Sequence, residues 1–473
     1  MLALKYFLKA RDRQISLQIL ALGLPVIASN LSRTLMNMVD VAMVGRLGPE
    51  ALAATGMGSM LVWVALMMGI GLRTATQTVT ARRLGQKKYK ECGTAMHNGH
   101  ILALLTMIPV TLLGFYFAKD FVPLFLDSPG ATPLCIDYTS TAFLSVVFIS
   151  IGYVFQGFFT GIEQTKVHLK VTITSNLINA YLNAGLIYGT VGIQSFFDSL
   201  GMSSLAYLWS WITFPELGVK GAAIGTTIAS AWLMIHYSFY IFKRETREKF
   251  HVLSPTANLP LLKKQARLAL PLGIQEMFVT IGYALFYKII GNISIVALAA
   301  SQIVITILHA AFMPGIGIGQ ACATLVGKFM GEEKIEKAET SIVESVRWSL
   351  WIMGSVGTVF LIVPQWILPI FTNDPEIIKQ GIIFLRFGAM AEYADAIGLT
   401  MWFALSGAGN TKYGAIVETI TMWGICLPAS YFLGALLFQS AVVPWAAFLV
   451  HIVVFSVAVT LKVLKADWKY IEI

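Results

Sequence analysis

Charged and amide side chains recur at helical spacing inside stretches that are otherwise oil-like. Arg33, Asn37 and Asp40 fall at i, i+4 and i+7, and Asn176, Asn179 and Asn183 at i, i+3 and i+7. Such spacings put each trio on one side of a helix. A carboxylate among amide oxygens, away from water, can take up and release a proton as its surroundings change, or ligate a hard cation such as Na⁺. Both trios also have an ordinary reading. Arg33 and Asp40 could form a permanent ion pair, and the asparagines could serve as interhelical hydrogen bonds. A second set of acids, Glu276, Glu392, Asp395 and Glu418, has no cation within one turn on its own helix. Carboxylates sharing one apolar cavity repel, so at least one is expected to hold a proton near neutral pH. Arg33 and Arg73 are the candidate counter-ions.

The elements that must position these groups are apolar helices. The 473 residues are 56% hydrophobic and only 12% charged, about half the charged share of a soluble domain. Twelve stretches are long and apolar enough to cross a bilayer. They fall near 16–45, 51–81, 95–117, 135–160, 167–189, 219–243, 262–291, 297–327, 342–367, 376–405, 413–437 and 441–464. The first six repeat in the second six. Leu24-Pro25 matches Leu270-Pro271, Ala51-Leu52-Ala53-Ala54 matches Ala297-Leu298-Ala299-Ala300, and Gly69-Ile70-Gly71 matches Gly315-Ile316-Gly317, all at one offset of 246. Six is even, so the halves enter the membrane in the same direction and form parallel repeats. An all-α membrane protein of two six-helix lobes is expected: residues 1–243, a cytoplasmic linker at 244–261, and residues 262–473.

The net charge of +9 gathers in the loops on one side, around Arg82-Arg83…Lys90, Lys243…Arg267 and Lys328…Arg347. That pattern orients helices with basic loops and both termini in the cytoplasm, in a cell membrane. It does not describe a nucleic-acid surface, which interleaves basic and stacking aromatic residues. About 22 extra residues, near 190–214, interrupt the first repeat and carry Phe196, Phe197, Tyr207, Trp209 and Trp211. They read as an external helix at headgroup depth, or else as a loop packed on the lobe. The basic start, Met1 to Gln14, runs into an apolar segment with no small-residue cleavage site, so no cleaved leader is expected. Cys92, Cys135, Cys322 and Cys426 share no oxidising face, and no disulfide is expected. His97 and His100 alone do not make a metal site. No phosphate-cradling loop, nucleophile elbow or zinc signature is present, so neither ATP-driven transport nor hydrolysis has its chemistry. An ion gradient is left as the energy source.

At this point the residues resemble a family. Leu24-Pro25…Asn37-Met38-Val39-Asp40…Gly45-Arg46-Leu47-Gly48-Pro49-Glu50-Ala51 is similar to the first helix and loop of the multidrug and toxic compound extrusion (MATE) transporters. Gly161…Thr165-Lys166, Gly218-Val219-Lys220-Gly221 and Gly407-Ala408-Gly409-Asn410-Thr411 match further motifs in order. The resemblance implies twelve helices in two lobes forming a V. It also implies export of amphipathic, often cationic compounds in exchange for H⁺ or Na⁺, by a monomer with no other cofactor. The family's N-lobe cation site carries over to Asp40, Asn179 and Thr226, with Asn37 nearby. Asn183 stands where that pattern has a second Asp, which weakens the case for Na⁺ and favours proton exchange at Asp40. A second family pattern uses a Glu and an Asp of the C-lobe. Asp395 matches the Asp, but Val279 occupies the Glu position, and Glu276, one turn earlier, is the substitute.

The leading expectation is therefore a cation-coupled antiporter in which Asp40 exchanges a proton while Asp395, Glu276, Glu392 and Glu418 serve the C-lobe. The alternatives are a flippase for lipid-linked precursors, which needs a basic cavity, and a membrane protein that moves nothing.

Overall fold

The computed structural model describes residues 11–199, 201, 203–254 and 258–472. Parts of the expected N-terminal tail, insertion and linker (1–10, 200, 202 and 255–257) lie outside the described residues.

Twelve long helices run through the described chain: α1 Arg13–Gly45, α2 Pro49–Gly85, α3 Tyr89–Phe121, α4 Ala131–Gly161, α5 Thr165–Ser199, α6 Gly218–Ile241, α7 Leu259–Ile293, α8 Ile295–Gly331, α9 Ile335–Ile362, α10 Pro375–Ala408, α11 Thr411–Leu437 and α12 Val442–Leu464. Most extend a turn or two beyond the apolar windows, because a helix keeps its hydrogen bonds where its side chains meet water. One ends early. Pro364 pushes Val363 out of helical geometry, so α9 stops at Ile362 and a separate turn, Pro364–Ile367, follows. Ten of the twelve are long and apolar enough to cross a membrane. The two that fall short are α5 and α10, which carry Asn176, Asn179 and Asn183, and Glu392 and Asp395. Both helices that break the apolar rule bear candidate chemistry, while Asp40, Glu276 and Glu418 lie on helices that keep it.

Helices α1–α6 pack as one bundle and α7–α12 as another, and the repeat is visible in how the bundles touch. A Cβ on Gly71 of α2 would stand 2.2 Å from the carbonyl of Ala269 on α7. Its repeat-mate Gly317 of α8 lies against α1, where a Cβ would stand 2.4 Å from Ile27 and 3.1 Å from the carbonyl of Gly23. Likewise a Cβ on Gly85 would meet the carbonyl of Lys328 at 2.0 Å, and one on Gly331 would meet the carbonyl of Arg82 at 2.2 Å. Glycine permits these crossings because any side chain would collide with backbone. The fifth helix of each lobe is irregular at the corresponding level. Gly189 breaks α5 with φ +69° and ψ 169°, and α11 widens into π-helical turns over Ala429–Leu437.

Every described hydrogen bond between the lobes lies at one end. Gln77 donates to the Gln320 carbonyl (2.8 Å) and to the Thr324 hydroxyl (2.9 Å). The Thr78 hydroxyl donates to the Ser406 carbonyl (2.9 Å), and Arg82 to the carbonyls of Ala408 and Ile471 (3.2 Å each). Lys328 pairs with Glu163 at 2.8 Å. This end carries the basic loops. Toward the other end the described lobes share no hydrogen bond, and they diverge into the V.

Part of the insertion packs on the lobe. Trp209 and Phe214 are buried against Tyr181 and Ala184, and the Trp209 indole donates to the Tyr181 carbonyl at 2.8 Å. Tyr207, Leu208, Trp211 and Ile212 remain exposed. All four cysteines are buried and free.

Candidate functional site

The N-terminal lobe gathers its polar groups between α1, α5 and α6. Asn183 donates to Asp40 Oδ1 at 2.7 Å. With its amide turned so that both ends are satisfied, Asn179 donates to Asp40 Oδ2 at 3.2 Å and accepts from the Thr226 backbone at 3.3 Å. Both asparagines are buried while Asp40 is half-exposed, so the carboxylate is gripped from behind and open in front. Asn183 fits because its neighbour on α6 is Gly225, where a Cβ would stand 2.1 Å from Asn183 Oδ1. That oxygen is buried and has no hydrogen-bond partner. An orphaned amide oxygen beside a carboxylate and a threonine is the donor set a hard monovalent cation takes. The same grip suits a carboxylate that can lose and regain a proton.

Two members of the expected α1 trio stand elsewhere. Asn37 is exposed and makes no hydrogen bond to the cluster among the described residues. It sits about 60° round the helix from Asp40, off the shared face. Ser32 takes the inward place instead and accepts from Asn176 at 2.8 Å. Arg33 forms no ion pair with Asp40. Seven residues separate them, about 10 Å along the axis, which is beyond the side chains' common reach.

The C-terminal lobe presents acids. Glu276 on α7 and Asp395 on α10 both lie within the electrostatic reach of Glu418 on α11, with Tyr283 beside Asp395 and Glu418. Gln275 donates to Glu418 at 2.7 Å. Glu392, three residues before Asp395 on α10, lies within its field. It is 5% exposed, its Cβ lies against α9 at Gly357, and its Oε2 is buried without a partner. Arg73, from the opposite lobe, lies within the field of Glu276 but forms no ion pair with it.

Sequence reasoning missed His168 and Tyr237, whose Nδ1 and hydroxyl stand 2.5 Å apart in the buried floor of the N-terminal lobe. The signal was present: His168, Thr172, Asn176, Asn179 and Asn183 form one stripe along α5. It also missed the basic-end seal, although Arg82 and Lys328 are cations at equivalent repeat positions.

Two parallel six-helix lobes, closed at one end and lined with polar groups where they part, define a repeat-built membrane transporter. The MatE family profile matches residues 25–184 and again 271–432, one match per lobe, and the chain belongs to that family. Over 469 residues it is 25% identical to a probable multidrug resistance protein NorM of Thermotoga maritima, covering 98% of this chain and 95% of the relative. It is 24% identical over 423 residues to the multidrug resistance protein NorM of Burkholderia vietnamiensis, covering 87% of this chain and 86% of that one. Among solved structures, the fold is shared with an outward-facing multidrug resistance MATE transporter of the MOP superfamily (TM-score 0.84, 19% identity, 97% of each chain). It is shared as well with a eukaryotic MATE transporter (TM-score 0.80, 16% identity, 96% of this chain and 97% of that one).

Proposed function

We propose that this protein is a secondary antiporter of the plasma membrane that exports amphipathic molecules, organic cations among them, in exchange for protons, with its basic end and both termini in the cytoplasm. One observation supports this reading: Asp40, held by two buried asparagines, stays half-exposed toward the end of α1 away from the described hydrogen bonds that close the cleft between the lobes. In that geometry the cleft opens away from the cytoplasm.

A proton arriving at Asp40 neutralises the carboxylate and weakens its charge-assisted bonds to Asn183 and Asn179. α1 carries that change to the seal, because the same helix bears Asp40 near one end and the Gly23–Ile27 crossing with Gly317 near the other. Release of the proton to the opposite side restores the grip. Cargo and proton are coupled because each favours a different arrangement of the lobes. Na⁺ is the competing coupling ion. The carboxylate, the Thr226 hydroxyl and the orphaned Asn183 oxygen fit it, but one carboxylate supplies little charge to hold it.

The reading is tested by reconstituting the protein in liposomes and following efflux of a fluorescent organic cation while pH and Na⁺ gradients are varied independently. Efflux driven by the pH gradient alone supports it. Efflux driven only by Na⁺ transfers the coupling to sodium, and no gradient-driven efflux refutes antiport. The lipid-linked precursor reading is not favoured, because acids outnumber arginines in the cleft.

A further inference from the structure

Two cations of the N-terminal lobe have no hydrogen-bonding or ionic partner among the described residues. Arg33 of α1 and Arg73 of α2 make no hydrogen bond and no ion pair among the described residues, and the Nε of Arg73 is buried. Both guanidinium groups stand 5.9 Å from the centroid of the same ring, that of the buried Tyr153. Below Arg33 a small cavity is lined by Tyr153, Gln156, His168 and Tyr237. Both arginines are half-exposed.

Like charges gathered around one ring repel. Unpaired cations at membrane depth are costly, and they persist where something completes them. The protein supplies no carboxylate within ion-pair distance. What fits two guanidinium forks gathered beside one buried ring is an oxyanion on an apolar body, bound by the N–H donors that the protein leaves unused. Glu276, Asp395 and Glu418 line the facing lobe and suit a positive group.

We propose that Arg33 and Arg73, both beside Tyr153, form a recognition site for the oxyanion (carboxylate, phosphate or sulfate) of an amphipathic molecule, so that amphoteric cargo is preferred to a simple organic cation. This rests on the export reading above. An anionic lipid headgroup presents the same chemistry to the same residues, and the test separates the two sources.

The probes are rhodamine B, which carries one carboxylate, and its ethyl ester, which does not. Binding is read by fluorescence anisotropy on the purified full chain, and transport in phosphatidylcholine liposomes under an imposed pH gradient. The wild type is expected to favour the acid. In Arg33→Gln and in Arg73→Gln the acid-to-ester preference should fall by about tenfold or more, the scale of a lost bidentate contact. Arg73→Lys, which keeps the charge but not the fork, should recover part of it. Repeating the measurement with phosphatidylglycerol in the liposomes identifies the source. If that lipid erases the arginine-dependent preference, the site stands and its oxyanion belongs to a lipid headgroup. An unchanged preference in both glutamine variants, or an equal loss of both dyes, overturns the proposal. If neither dye is transported but the anisotropy preference still tracks the arginines, the export reading fails and the anion site survives.

Discussion

At the scale of single residues, Asn183 matters most after Asp40. Its amide donates to the carboxylate, its oxygen is left without a partner, and Gly225 makes the space for it. Replacing it by the acid tests what the amide does. Asn183→Asp puts a second carboxylate where the orphaned oxygen lies. We expect Na⁺ affinity, read by calorimetry or by ²²Na⁺ binding, to rise by about tenfold or more, since ligand charge sets cation affinity. An unchanged Na⁺ affinity would mean that this oxygen does not face the ion. Gly225→Ala should disturb the grip without altering any charge, lowering gradient-driven efflux several-fold at normal expression. Asp40, Asn179 and Asn183 were legible in the sequence as polar residues at helical spacing. Asn37 was misplaced because spacing alone leaves a residue some 60° of freedom on the wheel. The packing of Glu392 against α9 at Gly357 was not legible either, since it depends on which neighbour α10 leans on.

At the scale of elements, the twelve helices and their repeat followed from hydropathy and from one constant offset. Both signals are one-dimensional and survive without knowledge of packing. The glycines were legible as matched letters but not as contacts. Gly71 and Gly317 take their meaning from the backbones they let approach, on α7 and α1. Gly71→Val and Gly317→Val should therefore behave alike. Each forces a branched side chain into carbonyl or aliphatic atoms and should cost about 1–3 kcal/mol, the usual penalty of overpacking. A fall in the thermal midpoint of both variants in detergent checks this, and a silent substitution at either position would show that the lobes do not cross there. The π-helical turns of α11 had no sequence signature, since Pro428 is equally compatible with a plain kink.

At the scale of the whole molecule, export by alternating access requires the basic-end seal to open, and its glutamine, threonine and ion-pair contacts to part together. Ala81 and Gly327 face each other across that seal, with a Cβ at position 327 lying 3.1 Å from the Ala81 Cβ. In a background without native cysteines, Ala81→Cys with Gly327→Cys should form a disulfide after a small shift. Oxidation should abolish efflux, and reductant should restore it. Full efflux by the cross-linked form would mean that these surfaces never separate. The seal escaped sequence analysis because it joins residues 165 to 389 positions apart, and only the repeat hinted that Arg82 and Lys328 share a level. The most direct test of the whole account is proton-gradient-driven efflux of an organic cation from liposomes by Asp40→Asn, compared with wild type at equal protein and equal dye binding. The account predicts a loss of about tenfold or more with binding retained. Gradient-driven efflux at the wild-type rate would contradict it.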